Sequence, residues 1–349
     1  MLSSGTRTVI YYTALLPALL VAVLVAIGIG STDLPIQTIV DVLVSKLAGS
    51  FWTHAPAFSA ADEVIVWSIR LPRVLCAVFV GAGLAVAGGV MQGLFRNPLA
   101  EPGLAGAGAG AVLGAVLAFV TGWSAAAVVS LPACAIIGAL AALLLVYFMA
   151  TRAGVTPVST LLLAGIAVSA LLSSISSLLL SLSIVNWQIA QEIVFWMMGG
   201  LEARTWTHVW LSAPLVLLGT VVSTIYAREL DLLQQGEDVA AAFGVNVESA
   251  KRSLIFTAAL LTGAAVAVAG SVAFVGLVIP HAVRLTLGPS ARTLIPASAL
   301  GGALFLVLCD LLARTLHPPT ELRLGVLTAL IGGPAFIWLL IRRNRETSL

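Results

Sequence analysis

Ala227-Arg-Glu-Leu-Asp-Leu-Leu-Gln-Gln-Gly-Glu-Asp-Val-Ala-Ala-Ala-Phe-Gly-Val-Asn-Val-Glu-Ser-Ala-Lys-Arg252 is the longest polar stretch in a chain of 349 residues that is 60% hydrophobic and 9% charged. Roughly 25 residues are too few for a soluble domain, which needs about 50 or more. They suffice for one or two short helices lying against a membrane. Glu237 and Asp238 follow Gly236, where carboxylates favour a helix N-terminus. Gly244 can adopt the left-handed conformation that ends such a helix after Phe243, and Asn246 can cap the next one with Glu248 in its first turn. A short helix–glycine–helix between long apolar segments reads as a docking knob for a partner.

The rest of the chain sets what that knob is attached to. Mean hydropathy of +1.09 and the scarcity of charge place the chain among polytopic membrane proteins. A spanning helix needs about 20 mostly apolar residues. Segments 9–30, 74–94, 103–121, 125–150, 158–182, 208–226, 253–271, 294–316 and 324–341 meet or approach that length, and 274–288 is a shorter one. The expected architecture is therefore all-α, a single transmembrane domain over residues 1–349 with about ten spans and both termini on one side.

Basic residues orient it. Arg7, Arg96, Arg152, Arg228, Lys251, Arg252, Arg284, Arg292, Arg342, Arg343 and Arg345 collect on one face, eleven of the 17 basic residues. Lys46, Arg70, Arg73, Arg204, Arg314 and Arg323 collect on the other. The termini and the polar stretch are thus expected in the cytosol. The first apolar run, Val9 to Ile29, is too long for a signal peptide and no Ala-x-Ala site follows it.

Several classes are disfavoured. The net charge of +2 gives no reason to expect nucleic acid. Cys76, Cys134 and Cys309 lie far apart inside apolar segments and read as packing residues. His54, His208, His281 and His317 are scattered with no i,i+4 pair, so no metal site is expected; those on the outer face read as surface polar residues. No paired catalytic set stands inside the spans. An ion-coupled carrier would need an ionisable group near the bilayer centre, for which Glu101 and Asp310 come nearest.

Gly81-Ala-Gly-Leu-Ala-Val-Ala-Gly-Gly-Val90 closely matches Gly263-Ala-Ala-Val-Ala-Val-Ala-Gly-Ser-Val272, and the same offset carries Pro98 onto Pro280. Small residues recur by chance in membrane helices; the proline in register favours duplication. The two copies would run in opposite directions, the inverted repeat from which transporters build a central pathway. Gly103-Leu-Ala-Gly-Ala-Gly-Ala-Gly110 and Gly114 read as a close-packing face.

Three further stretches carry a family resemblance: Arg70-Leu-Pro-Arg73 with Gly88-Gly-Val-Met-Gln-Gly-Leu-Phe-Arg-Asn-Pro-Leu-Ala-Glu-Pro-Gly103; Gly270-Ser-Val-Ala-Phe-Val-Gly-Leu-Val-Ile-Pro-His-Ala-Val-Arg284; and Glu321-Leu-Arg-Leu-Gly-Val-Leu-Thr-Ala-Leu-Ile-Gly-Gly-Pro334. With the 227–252 stretch they resemble the permease subunits of bacterial ATP-driven importers for vitamin B12, ferric siderophores and haem. The resemblance implies a homodimer of ten-helix subunits in the inner membrane, two cytosolic ATP-binding subunits that hold ATP and Mg²⁺, and a periplasmic binding protein. No cofactor would be bound by this subunit.

It also implies roles. Leu233, Gln234, Gln235, Gly236, Glu237, Asp238, Ala241, Phe243 and Gly244 would couple to the ATPase. Arg70, Arg73 and Arg314 match the family's binding-protein docking arginines, whose forks suit carboxylates; the alternative is that they are interfacial anchors. Asp310 would hold Arg314 as an i,i+4 pair. Arg323, where many relatives carry proline, would either add a positive contact at the outer mouth or anchor the helix at the interface. Ser159 and Thr160 match the inner gate region, Ser173, Ser177 and Ser181 would face the pathway, and Gln191 and Glu192 would sit near its outer mouth. Phe195-Trp-Met-Met-Gly-Gly-Leu-Glu-Ala-Arg-Thr-Trp206 and Leu316-His-Pro-Pro319 look most like haem-type members, so haem is the favoured cargo.

Overall fold

The computed structural model describes residues 4–30, 32, 34–48 and 58–347. The chain is helical throughout; among the described residues β-structure amounts to one bridge between Arg152 and Val155. In order come α1 (Ser4–Gly28), α2 (Ile36–Ala48) and α3 (Ala60–Glu63), which continues through a π-helical stretch, Val64–Arg70, into α4 (Leu71–Leu94). A 3₁₀ turn, Pro102–Ala105, leads into α5 (Ala107–Val120), followed by α6 (Ser130–Ala150), α7 (Val158–Ser183), α8 (Trp187–Met197) and α9 (Trp206–Ile225). Then come α10 (Ala227–Gln235), α11 (Glu237–Ala242), α12 (Val247–Ala269), α13 (Val275–Leu287), α14 (Ala291–Thr315) and α15 (Leu324–Thr347).

Among the described residues seven helices are long and apolar enough to cross a membrane, and α5, α13 and the start of α15 are shorter apolar ones. Each of the ten expected spans falls on one of these. The expected 74–94 is only the second part of a 35-residue helix beginning at Ala60. A π turn lies just ahead of Pro72, where the Leu71 N–H reaches back to the Val66 carbonyl. Three helices, α2, α3 and α8, were not legible. The α8 segment buries Ala190, Ile193 and Trp196 along one face, half-buries Ile189 and Met197, and exposes the rest.

Helices α4 and α12 form the centre, each 78% buried over its most apolar window. Their small residues permit backbone contact. A Cβ on Gly81 would lie 2.2 Å from the Gly302 carbonyl oxygen, and one on Gly88 1.7 Å from that of Gly276, so α4 touches α14 and α13 with nothing between. The glycine face of α5 does the same: Gly110 and Gly114 abut the Gly138 and Cys134 carbonyls of α6.

The two copies of the repeat do run in opposite directions. The end of α4 meets the knob, Gly93 packing on Leu230, whereas α12 starts directly from the knob. Each long helix is then followed by a break and a short one, α5 of 14 residues and α13 of 13 residues, about 20 Å each at 1.5 Å per residue. The prolines are not structural equivalents. Pro98 sits in the turn after α4 while Pro280 lies inside α13, so the duplication rests on helix order and not on proline register.

Candidate functional site: a knob, a cavity and a charged clamp

The knob forms as its local sequence dictates. Glu237 and Asp238 occupy the first turn of α11. The Gly244 N–H bonds the Ala241 carbonyl at 2.9 Å and the Val245 N–H bonds that of Ala240 at 3.0 Å, with Gly244 at φ +80°. This is the paired C-terminal cap that requires a left-handed residue. Asn246 Oδ1 accepts from the Ser249 N–H at 3.1 Å and opens α12. Gly236, between α10 and α11, stands at φ 145° and ψ 147°, a region open essentially to glycine alone. A bulky residue there would disturb the backbone before any partner.

Of the expected coupling residues, Gln235, Asp238, Ala241, Phe243 and Gly244 are exposed, with Phe243 64% exposed at the tip. Leu233, at 3% exposure, packs into the core. Glu237 and Gln234 also turn inward. Glu237 pairs with Lys251 at 2.9 Å, and Gln234 Oε1 accepts from Arg284 Nη1 at 2.8 Å. Asp231, unassigned from sequence, accepts from the Ala291 N–H at 2.7 Å and fastens α10 to the start of α14.

A cavity of 510 Å³ lies between α5, α7, α12 and the 271–276 segment. Ser169, Ser173, Ser176 and Ser177 of α7 line it with Thr262, Phe274 and Glu101. Ser173 and Ser177, expected to face the pathway, thus face this cavity. Ser181, Gln191 and Glu192 are exposed but do not line this cavity, and Ser159 and Thr160 lie exposed in the first turn of α7. Glu101 is the ionisable side chain of the wall; it opens onto the cavity, yet the protein packed around its carboxyl raises its pKa above the ordinary value by desolvation. Phe274 holds φ +67°, uncommon for a side chain of its size, at the point where the chain turns into α13.

At the end of the molecule opposite the knob, the arginines form a clamp. Arg73 gives three hydrogen bonds to Asp310, from Nε to both carboxylate oxygens at 3.0 and 3.2 Å and from Nη2 at 2.9 Å, and two to Glu321, at 3.0 and 2.7 Å. Arg314 meets the same Asp310 at 3.3 Å, as the i,i+4 spacing implied, and donates to the Ala26 carbonyl at 2.9 Å. Arg70 donates to the carbonyls of Ile27 and Gly28 at 2.7 and 2.8 Å, and to that of Thr32. The last carbonyls of a helix have no partner within it, so Arg70 and Arg314 together close the end of α1.

Arg70, expected at the docking face, is 5% exposed with its fork engaged by the carbonyls at the end of α1. Arg73 and Arg314 are largely enclosed, with side chains 12% and 6% exposed. Arg323 is the more open one; it pairs with Glu202 at 2.8 Å and lies 4.3 Å from the Phe195 ring centroid. Asp310 is held by two guanidiniums at this end, opposite the knob.

His208 is likewise buried, its Nδ1 3.3 Å from the Thr205 N–H that it caps, and is not a surface residue. His54 lies outside the described residues. Among the described residues no cluster of His, Cys, Asp and Glu could hold a metal, and the three cysteines are unpaired.

An all-helical membrane bundle with an inverted pair of long-plus-short helices and an exposed knob at one end defines a transport subunit. The chain belongs to the FecCD transport family, which it matches over residues 18–342. It is 38% identical to a cobalamin import system permease protein of Halobacterium salinarum, over 99% of both chains. It is 44% identical to the hemin transport system permease protein of Yersinia pestis, over 81% of this chain and 85% of that one. Its fold superposes on a structure described as an inward-facing conformation of a metal-chelate type ABC transporter, with a TM-score of 0.82, 31% identity, and coverage of 95% of this chain and 98% of the other.

Proposed function

We propose that this permease moves a bulky metal chelate, haem by preference, from periplasm to cytosol in an ATP-driven importer of the bacterial inner membrane. It works as a pair with a second copy, with both termini cytosolic. Two ATP-binding subunits receive the α10–α11 knob, and a periplasmic protein delivers cargo at the clamp end. ATP and Mg²⁺ are held by the ATP-binding subunits, and no cofactor or metal is resident in this one. The observation that carries this is the knob: a short helix pair with an exposed aromatic tip, Phe243, rooted on the two most buried helices of the bundle. Movement imposed there reaches the centre without an intervening loop.

Binding-protein contact falls to Arg323, the most open of these arginines, while Arg73 and Arg314, balanced by Asp310 and Glu321, hold the rim in shape. The cavity beside α7 forms one wall of the pathway. Hydroxyls offer weak contacts in series, which favour release over retention. Alanine at Ser173 or Ser177 should accordingly change transport rates modestly.

Haem is favoured by the 44% identity to the hemin permease and by the 195–206 segment. A second reading, cobalamin, is favoured by the relative matched over 99% of both chains. Ferric siderophores are the third member of the same class. Binding of haem, cyanocobalamin and a ferric siderophore to the cognate periplasmic protein, followed by ATP-dependent uptake into proteoliposomes, decides among them. Uptake of none of the three with ATPase and binding protein present would refute chelate import. Uptake driven by an ion gradient without ATP would make the chain a secondary carrier.

A further inference from the structure

Lys251 stands in the second turn of α12, and at 1% exposure is among the largest fully buried side chains. Its Nζ donates to the Thr156 carbonyl at 2.8 Å and to Glu237 at 2.9 Å, and pairs with Glu248 at 2.6 Å. An ammonium has three protons, and here each has an acceptor on a different element: the 151–157 turn, α11 and α12. Glu248 closes the circuit by accepting from the Thr156 N–H at 3.1 Å. Thr156 also shares a hydrogen bond of 2.9 Å with Thr151, at the end of α6.

The residues after Thr156 make this arrangement more than packing. Pro157 comes next, with φ fixed by its ring, and α7 starts at Val158. Displacement of Thr156 therefore passes to the first turn of α7 with little slack. That helix carries Ser169, Ser173, Ser176 and Ser177 along the cavity wall. The other inward ties of the knob lead elsewhere, Gln234 to α13 and Asp231 to α14. Lys251 is the tie to the helix with the serine face.

We propose that Lys251 is a positioning residue for transport, joining α11 to the start of α7 so that movement of the knob is converted into movement of the serine-lined wall. This rests on the α10–α11 knob being the ATPase contact. Both carboxylates are about one-third exposed, at 33% and 30%, so they can be solvated when Lys251 is removed. The ammonium itself is not so placed, and severing its partners one at a time loosens one branch of the junction.

The test reads α7 directly. With Cys76, Cys134 and Cys309 replaced by alanine and Ser159→Cys as the reporter, maleimide labelling is timed in the permease–ATPase complex, nucleotide-free and after vanadate trapping with ATP. The parent should show a change in labelling rate of about five-fold or more between the states, the lower end of a typical coupling between sites. In Lys251→Met the change should fall to about two-fold or less while the ATPase subunit still co-purifies. Lys251→Arg, which keeps the charge and donors, should retain most of it. Glu237→Gln cuts only the α11 branch and should also reduce it, which keeps the idea testable if Lys251→Met does not fold.

A Lys251→Met complex with the parent's full change, or a parent with no change, overturns the proposal. Loss of ATPase retention on Phe243→Asp supports the docking that underlies it. Retention unaffected by Phe243→Asp overturns that docking, and the proposal with it, whatever the labelling shows.

Discussion

Replacing Asp310 by asparagine keeps the side chain's size and removes the one charge shared by two arginines of the clamp. The carboxylate is 2% exposed, accepts from Arg73 at 3.0 and 2.9 Å and is ion-paired with Arg314 at 3.3 Å. Breaking a buried ion pair from one side costs about 3–5 kcal/mol, because the remaining charge stays buried without compensation. Here Arg73 keeps Glu321 at 2.7 Å and Arg314 keeps the Ala26 carbonyl at 2.9 Å. The cost should therefore fall at or below the lower end, about 2–3 kcal/mol. Glu321, 32% exposed, is the internal comparison: Glu321→Gln should cost about 1 kcal/mol or less, as for a solvated pair.

Thermal loss of the monodisperse detergent-solubilised peak measures the difference. One kcal/mol is worth roughly 2–4 °C in a domain of 150–250 residues and less in a longer chain. We expect the midpoint to drop by about 5 °C for Asp310→Asn and by about 1 °C for Glu321→Gln. Equal midpoints for Asp310→Asn and Glu321→Gln would mean that water, not Asp310, satisfies the arginines, and would refute the clamp as a stabilising element.

Gly88→Ala should destabilise the bundle by about 2 kcal/mol or more through overpacking, since its Cβ would sit 1.7 Å from the Gly276 carbonyl; Gly103→Ala, whose Cβ meets nothing closer than 3.6 Å, should leave the same melting midpoint nearly unchanged. Phe243→Asp should abolish co-purification of the ATPase subunit yet leave the permease peak and midpoint intact, because Phe243 is 64% exposed and closes no core contact; a lowered midpoint would mean that the tip is structural. The raised carboxyl of Glu101 means that the folded state prefers it protonated. Its contribution is present below the ordinary carboxylate pKa and lost as pH rises through the raised value. Glu101→Gln, which cannot ionise, should therefore melt above the parent at neutral pH and with it at acidic pH, and parallel midpoints across the range would sink this assignment.

The ten apolar segments, the antiparallel copies of the small-residue repeat and the capped helices of the knob were all legible in the residues themselves. Each depends on interactions within a few positions along the chain. A 20-residue apolar run, Gly244 after Phe243, and Asn246 three residues before Ser249 need no distant partner to be understood. The spacing Asp310–Arg314 was readable for the same reason. Helices α2 and α8 escaped because an amphipathic helix packed on a bundle has no 20-residue apolar run, and α3 because it is one turn at the head of a π-bulged helix.

What only the tertiary structure decided is where the charged forks point. Nothing in Arg70-Leu-Pro-Arg73 tells that Arg70 closes the end of a helix 42 residues earlier, or that Arg73 is shared by Asp310 and Glu321. Glu237 and Asp238 are neighbours of like charge, yet one turns in to Lys251 and the other faces out, because α11 lies on α12 with only one of its sides. Lys251 meets a carbonyl 95 residues away. A buried charge must find its acceptors wherever folding brings them, and that meeting is a property of packed helices, not of spacing along the chain.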